Sequence, residues 1–89
     1  MSRLFKKAIE LYQRAFEEIP DVFKEEKAKI NSNIAICFLK QEKYNEVVFF
    51  SSEALNLSPN YVKPKVNRAE AYYHKKEYEK CLAGILNRL

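Results

Sequence analysis

Asn31-Ser-Asn-Ile-Ala-Ile-Cys-Phe-Leu-Lys-Gln-Glu-Lys-Tyr-Asn-Glu-Val-Val-Phe-Phe-Ser-Ser-Glu-Ala-Leu-Asn-Leu-Ser-Pro59 is the stretch that decides the fold. Its first half, with Ile30 just before it, sets Ile34, Ala35, Cys37, Phe38 and Leu39 on one broad helical face. Its second half repeats the three- and four-residue steps through Tyr44, Val47, Val48, Ala54 and Leu55. Taken alone, Val47-Val48-Phe49-Phe50 would suit a strand, but the longer periodic frame makes the segment a helix. Gln41-Glu42-Lys43 is the turn between the two halves, and Ser58-Pro59 closes the unit. A helical hairpin of this size buries little by itself and needs neighbours on both sides. Asn33, polar and immediately before the apolar run, points to one edge of the hairpin that faces a ligand.

The flanks carry the same grammar. A first helix is predicted from Ser2 to Glu18, with Ser2 as N-cap and an apolar stripe through Leu4, Phe5, Ala8, Leu11, Tyr12, Ala15, Phe16 and Ile19. Pro20 ends it, because the residue before a proline is pushed out of helical geometry. The second helix starts between Asp21 and Glu25 and runs to Gln41, with Glu25 and Glu26 suited to the positive end of its dipole. The third spans Tyr44 to Asn56 and the fourth Val62 to Lys75, where Pro64 is tolerated in the first turn. A fifth is predicted from Glu77 to Arg88, with Gly84 inside it.

Composition narrows the function classes. Eighty-nine residues make a single domain, and one Gly with three Pro leaves little material for β-turns. The net charge of +4 comes from 16 basic and 12 acidic residues, interleaved rather than clustered, which argues against a nucleic-acid surface. Cys37 and Cys81 stand apart within apolar helical segments, and with His74 as the single histidine no metal-ligand cluster forms, so they are expected as buried reduced thiols and no cofactor is implied. The longest uncharged run, Ile30 to Leu39, is too short to cross a membrane, and the first ten residues are too charged for a signal peptide. A cytoplasmic protein is expected. No nucleophile–base pair or Gly-rich phosphate loop is present, so enzymatic activity is not expected.

The chain also aligns with itself. Lys29, Asn33, Ala35 and Phe38 match Lys63, Asn67, Ala69 and Tyr72 at a spacing of 34. Phe5, Tyr44 and Tyr78 fall in one register, as do Ala8, Val47 and Cys81, Ala15 with Ala54, and Pro20 with Pro59. Small residues stand where the helices of one hairpin approach, and aromatic residues where successive hairpins leave a groove. With these landmarks the chain resembles tetratricopeptide repeats over nearly its whole length. The resemblance implies an all-α superhelix of about five antiparallel helices. Residues 1–20 would be the second helix of a first repeat, 24–59 a second repeat and 60–89 a third, making the chain a fragment of a longer array.

Within that family the lead-in Pro20-Asp-Val-Phe-Lys-Glu-Glu-Lys-Ala-Lys-Ile-Asn-Ser-Asn33, together with Asn67-Arg-Ala-Glu-Ala-Tyr72, is similar to co-chaperone-type domains. The resemblance implies that the first helix of each hairpin lines a concave groove. That groove would show Lys29, Ser32, Asn33, Ile36, Leu39 and Lys40 from one repeat, and Lys63, Val66, Asn67, Glu70, Tyr73 and His74 from the next. Lysines supply point charge, asparagines oriented donors and the apolar residues a seat for aliphatic side chains, which suits an extended acidic peptide. The implied partner is the C-terminal tail of the chaperones Hsp70 or Hsp90, held in a carboxylate clamp to which Asn33 and Lys63 would contribute. Asn67 stands where that clamp has arginine, with Arg68 adjacent, and Glu70 adds negative charge beside it. These departures favour the alternative, a repeat scaffold that binds another protein without a clamp. A homodimer through exposed helix faces is a further option. Blander roles also fit: Asn33 as a brace for a neighbouring helix, Lys63 as a solvated lysine, His74 as a partner of the helix dipole.

Overall fold

The computed structural model describes residues 2–77 and Leu82. Four helices are described, α1 (Ser2–Glu18), α2 (Lys24–Lys40), α3 (Tyr44–Leu57) and α4 (Val62–His74), and no strand is found among the described residues. Three of the expected boundaries shift by only a residue at their C-terminal ends. The segment expected as a fifth helix, with Tyr78, Cys81 and Gly84, lies outside the described residues apart from Glu77 and Leu82. The architecture is all-α, built of packed antiparallel hairpins in the manner of tetratricopeptide repeats.

The C-terminal ends of α2 and α4 share one device. Glu42 and Lys76, 34 residues apart, both take the left-handed conformation, with φ of 59° and 62°. At the first, Lys43 N–H donates to Phe38 C=O at 3.0 Å and Glu42 N–H to Leu39 C=O at 3.0 Å. At the second, Glu77 N–H donates to Tyr72 C=O at 2.8 Å and Lys76 N–H to Tyr73 C=O at 2.9 Å. Backbone groups thus satisfy the orphan carbonyls at both helix ends. At the starts, Phe23, Lys43 and Tyr61, which precede α2, α3 and α4, make no side-chain cap. Short connections force neighbouring helices antiparallel, so α2 and α4 run the same way.

The molecule is a slab of 36 × 32 × 13 Å, whose short dimension accommodates two packed helices. α2 packs on α1, α3 and α4, and α1 and α3 flank it, with Phe50 of α3 reaching the cluster that holds Ile9 of α1. Small side chains set this closeness: Ala28, Ser32 and Ala35 on α2, Ser51 and Ala54 on α3 and Ala71 on α4 have no accessible surface. Two apolar clusters result. One holds Ile9, Ile34 and Cys37 with Phe5, Tyr12 and Ile30 against them, and the other holds Ala35, Val47 and Ala71 with Leu39, Tyr44 and Val48. Phe38 and Phe50 pack against both, their rings stacked with centroids 5.6 Å apart. Cys37 is a free buried thiol, and burial pushes its pKa up, which keeps it protonated and unreactive.

Candidate functional site

The burial pattern of α2 leaves one stripe outward. Lys29, Asn33, Ile36 and Lys40 recur at helical steps along one side of α2, with both lysines exposed and Asn33 and Ile36 half-buried. On α4 the corresponding stripe is Lys63, Val66, Glu70 and Tyr73, all exposed, with Tyr73 retaining 58% of its surface. The two helices touch, so the stripes form one face. Pro64, as expected, sits in the first turn of α4, and it is fully buried there.

Three of the expected groove residues sit deeper. Ser32 is fully buried and its hydroxyl has no hydrogen-bond partner. Leu39 is half-buried and packs against the Ala35, Val47 and Ala71 cluster. Asn67 is half-buried, with an inaccessible Nδ2 that finds no acceptor. Arg68, its neighbour, donates from Nη1 to Ser52 Oγ at 3.0 Å, which ties α4 to α3 and turns the guanidinium away from the α2–α4 face.

The ends of the face differ in chemistry. Lys29 borders a cavity of about 320 Å³ with Glu25, Ser58, Asn60 and Tyr61. At the α4 C-terminus, His74 stacks on Tyr44 at 4.8 Å, meets the edge of Tyr73 at 5.6 Å, and lies 3.8 Å from the Glu70 carboxylate through Nε2. Tyr44 in turn donates its hydroxyl to Glu42 Oε1 at 3.4 Å. Burial and the carboxylates of Glu42 and Glu70 hold the Tyr44 phenol above its usual value.

One residue escaped sequence reasoning. Lys27 is 5% exposed, donates to Asp21 Oδ1 at 2.7 Å, and lies 4.4 Å from the Phe16 ring centre. It locks the turn between α1 and α2. Among the described residues no group of His, Cys, Asp and Glu is arranged to hold a metal, and no helix is long and apolar enough to cross a membrane.

The fold and the face together define an all-helical hairpin array with an open, side-chain-lined surface, an arrangement suited to contact with other proteins. Over 58 residues the chain is 29% identical to intraflagellar transport protein 88 homolog of Homo sapiens, a stretch that covers 65% of this chain and 7% of that protein. The chain thus spans a small fraction of the length of the relative it matches. No family model matches it.

Proposed function

We propose that this protein is a protein-interaction module that acts by binding, and that its α2–α4 face takes an extended acidic peptide segment. The observation that carries the reading is the pair of adjoining stripes. Exposed Lys29, Lys40 and Lys63 surround Asn33, Ile36, Val66 and Tyr73 on two helices in direct contact. Lysine ammonium groups attract carboxylates, the Asn33 amide donates a directed hydrogen bond, and the apolar residues seat aliphatic side chains between them. Because the helices are held by a packed core, these groups are presented in fixed register and little ordering is required when the peptide docks.

In its finer form the ligand is a free C-terminal carboxylate of the Hsp70 or Hsp90 kind, with Asn33 and Lys63 as clamp residues. Titration with a peptide ending in Glu-Glu-Val-Asp, against the same peptide amidated at its C-terminus, tests this. The clamp requires much tighter binding of the free acid, and Asn33→Ala and Lys63→Ala should each weaken it about tenfold, the worth of one charged hydrogen bond. Equal affinity for the two peptides sinks the clamp. A second reading is favoured by Asn67 in place of arginine, by Arg68 being engaged with Ser52, and by the likeness to an intraflagellar transport protein. There the module is a scaffold within a protein assembly, and its face holds an internal acidic segment of the partner. Equal and measurable affinity for both peptides, abolished by Lys29→Glu and Lys63→Glu, is the result this reading expects.

A further inference from the structure

A groove between α1 and α3 lies on the other side of α2 from the α2–α4 face. Asn31 and Ile34 on its floor precede Asn33 and Ile36 by two residues, which is about 200° around a helix. Phe16 and Glu17 of α1 form one wall and Phe49, Phe50 and Glu53 of α3 the other, around a cavity of about 360 Å³.

The polar groups of this cavity are not used up by the fold. Asn31 is 6% exposed, yet its amide makes no hydrogen bond among the described residues. Such an amide has lost water on burial and gained nothing in return, a cost that a ligand reaching it removes. Phe49 keeps 57% of its surface on the same cavity, its ring held edge-on to Phe50 at 5.0 Å. Glu17 and Glu53, both exposed, supply negative charge. Glu53 accepts from Asn56 Nδ2 at 3.2 Å, a neutral donor that leaves its charge in place.

Cations nearby do not cancel that charge. Lys27, against the Phe16 ring, is paired with Asp21 at 2.7 Å, and Arg14 does not line the cavity. The next cavity along α1, joined to this one at Gln13, is bordered by Arg3, Lys6 and Lys43 with Glu10. In a chain of net charge +4, the α1–α3 cavity is lined by two carboxylates and no cation.

We propose that the α1–α3 groove is a second binding site, which takes an arginine side chain of a partner protein. The five N–H donors of a guanidinium suffice for Asn31 Oδ1 and both carboxylates, while its flat face stacks on Phe49. A lysine ammonium matches the charge but has no plane to stack, and an anion is repelled. The site does not rest on the acidic-peptide reading, since neither Lys29 nor Lys63 lines it.

Titration of the isotope-labelled 89-residue chain with acetyl-arginine methylamide, followed by heteronuclear NMR, tests the proposal. Saturable shifts in the millimolar range are expected, centred on the Asn31 side-chain amide and the backbone amides of Phe49 and Glu53. The citrulline analogue, of the same shape without the charge, should bind about tenfold more weakly, and the lysine analogue about threefold more weakly. Glu17→Gln with Glu53→Gln should weaken arginine binding about tenfold at an unchanged melting temperature, since both side chains are exposed. Asn31→Leu should weaken it about as much while raising the melting temperature, the trade expected of a buried amide whose partner is a ligand. Lys29→Ala with Lys63→Ala should leave it unchanged, which separates this groove from the α2–α4 face. The proposal is overturned by an absence of saturable shifts or by equal affinity for the arginine and citrulline analogues. Binding that survives either Asn31→Leu or the paired glutamate substitutions overturns it as well.

Discussion

α1 and α3 both lie against α2, and they meet opposite fates. α3 lies against α2 on one side and α4 on the other, so Val47, Ser51, Ala54 and Leu55 are all buried. α1 packs chiefly on α2, and Ile9, outside the expected stripe, is its buried apolar residue, while Leu4 and Leu11 stay exposed. Both helices carry apolar arcs wide enough for two neighbours. The contrast teaches that amphipathic width measures how much a helix is able to bury, whereas the count of adjacent helices decides how much it does bury.

The strongest way to break the difference between the two regions is to remove what joins them. Phe38→Ala takes one ring from both apolar clusters, and a loss of about 3 kcal/mol is expected by urea denaturation. A matched pair sharpens the comparison itself. Leu55→Ala in α3 should cost about 2–3 kcal/mol, while Leu11→Ala in α1 should cost about 0.5 kcal/mol or less in the monomer. A larger cost for Leu11 that grows with protein concentration would show the α1 flank to be covered in solution. Glu42→Gly acts at the turn between α2 and α3, where the residue sits at φ 59°. Relief of the left-handed penalty, partly offset by the greater chain entropy of glycine, should raise stability by about 0.5–1 kcal/mol. A drop in melting temperature would contradict it.

The smallest effect belongs to the α1–α2 turn. The hydrogen bond and charge of Lys27 hold the Asp21 carboxyl below its ordinary value of 3.8. A depressed folded pKa means that the contribution is present at neutral pH. It falls away as the pH drops below the unfolded value and through the folded one. Melting temperatures of the wild type and Asp21→Asn should therefore differ modestly at pH 7 and converge in strong acid. Curves that stay parallel down to pH 2 would remove the pair from the account.

The helices and their turns were legible because periodicity and punctuation agree. Leu4 to Phe16, Ile30 to Leu39 and Tyr44 to Leu55 each keep a helical step, and Pro20, Gln41-Glu42-Lys43 and Pro59 fall between them. Depth was less legible. A helical step gives the angle of Lys29, Asn33 and Ile36 around α2, and these three lie together on its outer side, but it does not report what stands across from each angle. Ser32 therefore reads as a groove residue, although α2 buries it completely. Lys27 drew no reading from the sequence because its partners Asp21 and Phe16 come from the preceding turn and helix. Arg68 reads as available beside Asn67, and only the path of its side chain to Ser52 shows that it is spent elsewhere.

The stacked rings of Phe38 and Phe50 have a consequence for how this chain comes apart. In an array whose hairpins touch only their neighbours, each unit is free to melt on its own, and the ends fray first. Here a single aromatic pair belongs to the cluster shared by α1 and α2 and also to the cluster shared by α2, α3 and α4. Opening either cluster exposes the same two rings, so neither half lowers its energy by melting alone. The short array should behave as one thermodynamic unit, with amides of α2 and α3 exchanging with solvent together through a common global opening.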